Sequence, residues 1–176
     1  MKTQYVYHLI EKGFKGTILF SLNDLKEEYP AIYNKKLSKY KGREFLLKRR
    51  IVKINCKWNE VIHLSPYHPH VIYKALQQQG IKPDDAKWVK IPVDYLDEKL
   101  AVIYRDFNQR ENWVIEVNEI DYIDKISDQL PKETTEYYKN MMKAKKEPLL
   151  FMFAHHVLYH SPIDIEGLEI ISWSNP

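Results

Sequence analysis

The longest uninterrupted apolar run in the chain is six residues, Leu149 to Ala154. That ceiling limits what the chain can fold into. A bilayer-spanning helix needs ~20 apolar residues, so none is expected. The apolar residues fall instead into short segments rich in Val, Ile and Tyr, the composition of strands. QYVYHLI (4–10), TILF (17–20), IVKINC (51–56), VIHLSP (61–66), WVKIPV (88–93), LAVIYRDF (100–107) and NWVIEV (112–117) read this way. The run LLFMFAHHVLYH (149–160) and the closing IDIEGLEIISW (163–173) read as further strands. In VIHLSP, Ile62 and Leu64 take one face and His63 and Ser65 the other, the alternation of a half-buried strand. Pro66 ends it, because proline cannot donate to a ladder.

Helices fall between these segments. Ser21, with Asp24 three residues on, forms an Asp variant of the capping box. A basic helix is expected from about Ala31 to Arg49, weakened by Gly42. Another should run from His68 to Gln79 and end at Gly80. A third, Pro131 to Lys146, carries the basic C-terminal end that the helix dipole favours. Strands and helices do not alternate strictly as βαβ. The expected class is therefore α+β, with a mixed or antiparallel split sheet flanked by helices. The chain has 176 residues and no glycine/serine linker or repeat, so residues 1–176 read as a single domain.

The net charge of +3 hides an uneven distribution. Residues 35–57 hold ten basic side chains and a single acid, Glu44, whereas 94–128 hold ten acids and four bases. A basic stretch raises the expectation of a phosphate-bearing partner. The competing reading is a solvated helix face. Lys35, Lys39 and Arg43, at i, i+4 and i+8, then form one exposed stripe that touches no ligand, and this is the outcome expected here.

Two strands place histidines on polar faces. His8 shares a face of QYVYHLI with Val6 and Ile10. His63 shares one with Ser65, and Tyr67 follows. If the strands are neighbours, two imidazoles, a hydroxyl and a phenol line one groove. Imidazole can contact a ribose hydroxyl or a phosphate, or shuttle a proton near neutral pH. Tyrosine can stack on a flat ring. The competing reading is that each histidine is a core residue satisfied by a backbone carbonyl.

The order YHL in the first strand, HLS at a strand end just before a helix, then WVKIPVDYL resembles the ADP-ribosyltransferase-like superfamily. More distantly it is similar to the tRNA 2′-phosphotransferases. The matching motifs span about residues 5–96. The resemblance implies a split sheet holding NAD or an ADP-ribosylated intermediate. It implies nucleotide contacts at His8 and at the His63–Ser65 pair, with Tyr67 beside them. For the late catalytic glutamate of that superfamily it offers Glu116, on the expected NWVIEV strand, or Glu166. The whole chain also resembles a bacterial family seen in bacilli that carries no transferable function.

Two other chemistries have weaker support. A metal would need His63, His68 and His70, or His155, His156 and His160 with Asp164. Pro69 stiffens the first set, and His155 and His156 point to opposite faces of a strand. No His-Glu-x-x-His or paired-cysteine spacing occurs, so no metal is expected. The alternative to a nucleotide site is a non-enzymatic interaction protein using residues 35–57, interleaved with Tyr40 and Phe45 and followed by Trp58, on nucleic acid or an acidic protein. Cys56 is the sole cysteine, which excludes an internal disulfide. It reads as a buried strand residue rather than a nucleophile. The first fifteen residues lack a signal-peptide apolar region, and a cytoplasmic location is expected. Nothing in the sequence speaks to oligomeric state.

Overall fold

Tyr5–Leu9 (β1) is buried on both faces, with Val6 in one core and Tyr7 in another. The structure is a computed structural model that describes residues 4–105 and 114–175. β1 pairs with Lys87–Pro92 (β6), which also pairs with Glu169–Ser172 (β11). A second sheet is built from Ile62–Leu64 (β5), Ala101–Arg105 (β7), Asn118–Glu119 (β8) and His155–Tyr159 (β9), in the order β5-β9-β7-β8. Every pairing in these two sheets is antiparallel, as are the two-stranded pairs of Ile18–Leu19 (β2) with Ile163–Asp164 (β10) and of Arg50–Ile51 (β3) with Cys56–Lys57 (β4). The two sheets meet at a single rung. Tyr7 N–H donates to Ser65 O and Ser65 N–H to Tyr7 O, both at 2.8 Å. The expected α+β class and split antiparallel sheet are thus present.

Both faces of the sheets are covered. Val6, Val89 and Ile91 of the first sheet share a core with Ile62, Leu64, Ile103 and Val157 of the second. On the other side, Tyr7, Trp88 and Trp173 pack with Ile72 and Leu76 of Pro69–Gln78 (α3) and with Tyr138 of Lys132–Lys143 (α4). Val102, Tyr104 and Leu158 pack with Ile51, Cys56 and Trp58. Two short helices, Leu22–Glu28 (α1) and Pro30–Ser38 (α2), precede this third cluster in the chain. Ser21 caps α1 as expected, its Oγ accepting from Asp24 N–H at 3.3 Å. No helix among the described residues is long and apolar enough to cross a membrane.

Four expectations need correcting. The basic helix stops at Ser38; the chain turns, Gly42 takes φ +80°, and Glu44–Lys48 forms a separate 3-10 turn. A left-handed φ suits glycine and cannot continue a helix. IVKINC is not one strand: Ile51 and Cys56 belong to two short strands that pair with each other, around a 3-10 turn at Val52–Ile54 with Asn55 at φ 48°. In NWVIEV the described residues keep an alternation of burial, with Ile115 buried between exposed Val114 and Glu116. They find no partner strand, however, only an isolated bridge from Val114 to Arg50. LLFMFA is not a strand either. It is a looped segment ending at Phe153 with φ 61°, and β9 begins only at His155.

Candidate functional site

β1 and β5 both contribute to a cavity of about 610 Å³, through His8 and Leu9 on one strand and Ile62 and His63 on the other. That volume falls in the ~300–1,000 Å³ range of small-molecule sites. The seven consecutive residues Glu147 to Phe153 form another part of its wall. Their backbone is held by side chains. Leu149 N–H donates to Tyr137 Oη at 3.1 Å, Tyr138 Oη donates to Leu150 O, and Arg105 Nε donates to Phe153 O at 3.0 Å.

Three histidines lie at this cavity: His8, His63 and His156. The Nδ1 of His8 lies 3.0 Å from the backbone oxygen of His63. A carbonyl only accepts, so this nitrogen carries the hydrogen and Nε2 of His8 is a bare acceptor. His63 Nδ1 lies 3.3 Å from His156 Nδ1, and His156 Nε2 donates to Phe151 O at 3.0 Å. The Trp58 ring packs edge-on against His63 at 4.6 Å and against Tyr104 at 5.1 Å. Its Nε1–H donates to Tyr40 Oη at 2.9 Å.

Burial keeps these imidazoles neutral. It lowers the pKa of His8 to about 3, with Lys36 adding to the effect and the His63 carbonyl opposing it. Burial lowers His156 to about 4, and it takes His63 well below the usual imidazole range, helped by His156 and Lys36. The cations come from α2 and the turn after it: Lys35, Lys36, Lys39 and Arg43 all line the cavity. Only two acids, Glu11 and Glu147, accompany them there. Glu11 is tied up by Lys35 at 3.1 Å. Burial pushes its pKa upward, but Lys36, Lys35 and Lys39 outweigh that and hold it below the ordinary carboxylate value. Chemically, the site offers an excess of cations, neutral imidazoles and the faces and edges of aromatic rings. It suits an anion attached to a flat or apolar body.

The structure brings His8 and His63 together, on neighbouring strands and at one cavity. Ser65 and Tyr67 are not among the cavity residues. Ser65 is fully buried at the junction of the sheets, where its Oγ donates to Tyr67 O at 2.9 Å and accepts from Tyr67 N–H at 3.1 Å. The Tyr67 hydroxyl pairs instead with His155 Nδ1 at 2.7 Å. Glu116 is exposed, lies outside any strand and does not reach the cavity, and Glu166 is exposed too. Lys35, Lys39 and Arg43, the stripe expected to touch no ligand, all line this cavity, with Lys35 and Lys39 exposed at its edge. α2 ends at Ser38, and the turn after it carries Arg43 back over the cavity.

His68 and His70 are satisfied locally. His68 caps α3 through Nδ1, which accepts from His70 N–H at 3.2 Å, and His70 Nδ1 donates to Trp173 O at 2.9 Å. Among the described residues no group of three His, Cys, Asp or Glu is placed to hold a metal ion. Cys56 is buried, and burial raises its thiol pKa to about 11.

Sequence reasoning missed Glu11 as a cavity residue and His156 as a partner of His63, and it placed Lys36 and Trp58 only with the basic segment, apart from the histidines. His156 carried a signal as one of two adjacent histidines in a strand-like run. No protein-family model, curated protein or solved structure matches the chain.

Proposed function

We propose that this protein binds a nucleotide in the cavity beside β1 and β5, with NAD among the ligands to be tested. The observation that carries the reading is the meeting in one cavity of two features separate in sequence. One is the His8–His63 pair, and the other is the Lys35, Lys36, Lys39 and Arg43 cluster. The cations suit phosphate, and the Trp58 and Tyr104 rings suit a planar base. The neutral imidazoles suit hydroxyl groups, His8 accepting through Nε2. The ADP-ribosyltransferase-like resemblance points to the same ligand class and assigns nucleotide contacts to His8 and His63. Glu116 plays no part in this reading, because it does not line the cavity, whose carboxylates are Glu11 and Glu147.

Calorimetric titration with ADP, NAD and adenosine tests it. ADP and NAD should bind at least about tenfold tighter than adenosine, a difference of about 1.4 kcal/mol. Equal affinity for adenosine, or no binding of either phosphate ligand, overturns the proposal. Single-stranded RNA that binds instead, with a steep loss of affinity in salt, installs the interaction-protein reading in its place.

A further inference from the structure

The neutral His63–His156 pair, with its two Nδ1 atoms facing each other, has a place for one further proton. Each neutral imidazole carries one N–H. His156 gives its own to Phe151 O, which leaves its Nδ1 as an acceptor facing His63 Nδ1 at 3.3 Å. The backbone carbonyl of Trp58 also acts on the His63 ring and favours its protonated form. In the neutral pair two N–H groups serve two acceptors, Phe151 O and one of the facing ring nitrogens. An added proton gives His63 a second N–H, which that carbonyl favours, and keeps a hydrogen between the facing Nδ1 atoms.

What keeps that proton out is the setting. The pair is buried, and the charged groups nearest the cavity are predominantly positive. Lys36 of α2 and Arg43 beyond it face the cavity, as do His8 and Glu11 from β1 and the residues after it. Lys35, Lys39 and Tyr40, Tyr104 of β7 and Glu147 of the wall segment line the cavity as well, and His155 adjoins His156 on β9. Glu11 is already paired with Lys35. A phosphate entering among the cations would cancel much of their field and bring negative charge to the imidazoles. Like any nearby anion, it favours their charged form.

We infer that the cavity takes up its anionic ligand together with one proton, shared between His63 and His156. This rests on the nucleotide reading above, and it adds a pH-dependence to that site. By linkage, binding should tighten as pH falls through the range in which the complex, and not the free protein, holds the proton. It also ties the ligand to the wall segment, since His156 is the side chain that holds Phe151 O.

The test is titration calorimetry at pH 6 in two buffers of different ionisation enthalpy, with ADP and with inorganic pyrophosphate. The native protein is compared with His156→Gln, whose amide can donate to Phe151 O and accept from His63 without gaining charge. Subtracting the variant removes the proton exchange of the phosphates themselves. The native protein should take up close to one proton more per ligand bound. Equal uptake overturns the inference and leaves nucleotide binding intact. Pyrophosphate binding with the extra proton, without ADP binding, supports the inference and removes the nucleotide reading. Failure of both ligands to bind removes both. Ring 15N spectra of the native protein give a readout that needs no variant. On addition of ligand at pH 6 the His63 and His156 signals should move together toward imidazolium values, and unmoved signals contradict the inference.

Discussion

The imidazole of His8 does the work of a backbone rung for His63. Its Nδ1 donates to the His63 carbonyl at 3.0 Å, just past the Tyr7–Ser65 rung at which the backbone ladder between β1 and β5 stops. One side chain thereby closes the seam between the two sheets and presents its other nitrogen as an acceptor. Replacing His8 by Ala leaves the His63 carbonyl without this donor. The expected cost is about 1–3 kcal/mol of stability, read as a lower urea midpoint at unchanged m-value. A variant as stable as the native protein contradicts the assignment.

Ser65→Ala tests the junction from the other strand. The hydroxyl makes two hydrogen bonds to the Tyr67 backbone in a fully buried position. Its loss should cost about 1–3 kcal/mol, with ADP affinity, measured where the variant is folded, within about twofold of native because Ser65 does not line the cavity. A selective loss of ADP binding would return Ser65 to the ligand site.

Acid should unfold the protein earlier than its carboxylates alone require. His8 and His156 have folded pKa values of about 3 and about 4, and His63 lies well below its ordinary value. An unfolded imidazole titrates near 6.5. Between these limits the unfolded chain binds more protons than the native one, so stability is full above about pH 6.5 and falls as pH drops toward about 4. Each such proton contributes a slope of about 1.4 kcal/mol per pH unit. Urea unfolding at a series of pH values measures the slope, and His156→Gln should reduce it by about one proton. An unchanged slope in that variant contradicts the burial account.

The cationic cluster should matter to the ligand and only modestly to the fold. Lys35 and Lys39 are exposed, and exposed charges contribute little to stability. Replacing Lys35, Lys39 and Arg43 together by Gln should cost about 1–2 kcal/mol, chiefly because Lys35 leaves the nearly buried Glu11. The same variant should weaken ADP binding about tenfold or more, since charge-assisted contacts to phosphate are the strong ones. Retained ADP affinity would show that these residues only solvate the turn.

The parts that could be read from sequence were those set by local periodicity. The period-2 pattern of QYVYHLI and VIHLSP placed His8 and His63 on strands, and Ser21 marked the start of α1. What could not be read depended on partners distant in the chain. Glu116 sits in a segment with strand-like alternation, but alternation makes a strand only where another strand is available to pair. Arg50 supplies one bridge and no ladder. The spacing of Lys35, Lys39 and Arg43 was visible as a helical stripe. Which way the stripe faced depended on α2 ending at Ser38 and the turn after it folding back. Ser65 and Tyr67 looked like groove residues because they follow His63, and burial at the sheet junction took them out of the cavity. His156 meets His63 only because β9 pairs with β5, 93 residues away in the chain.

The indole N–H spectrum during ADP titration reads the cavity lining and the core behind it in one experiment. Trp58 lines the cavity against His63, whereas Trp88 is fully buried in the α3–α4 core and does not line it. ADP should shift the Trp58 indole signal in a saturable manner and move that of Trp88, which sits behind Phe151 and Trp173, clearly less, and the Lys35→Gln/Lys39→Gln/Arg43→Gln variant should need about tenfold more ligand. A Trp58 signal that stays fixed at saturating ADP, or one that moves no further than Trp88, would contradict the placement of a nucleotide in this cavity.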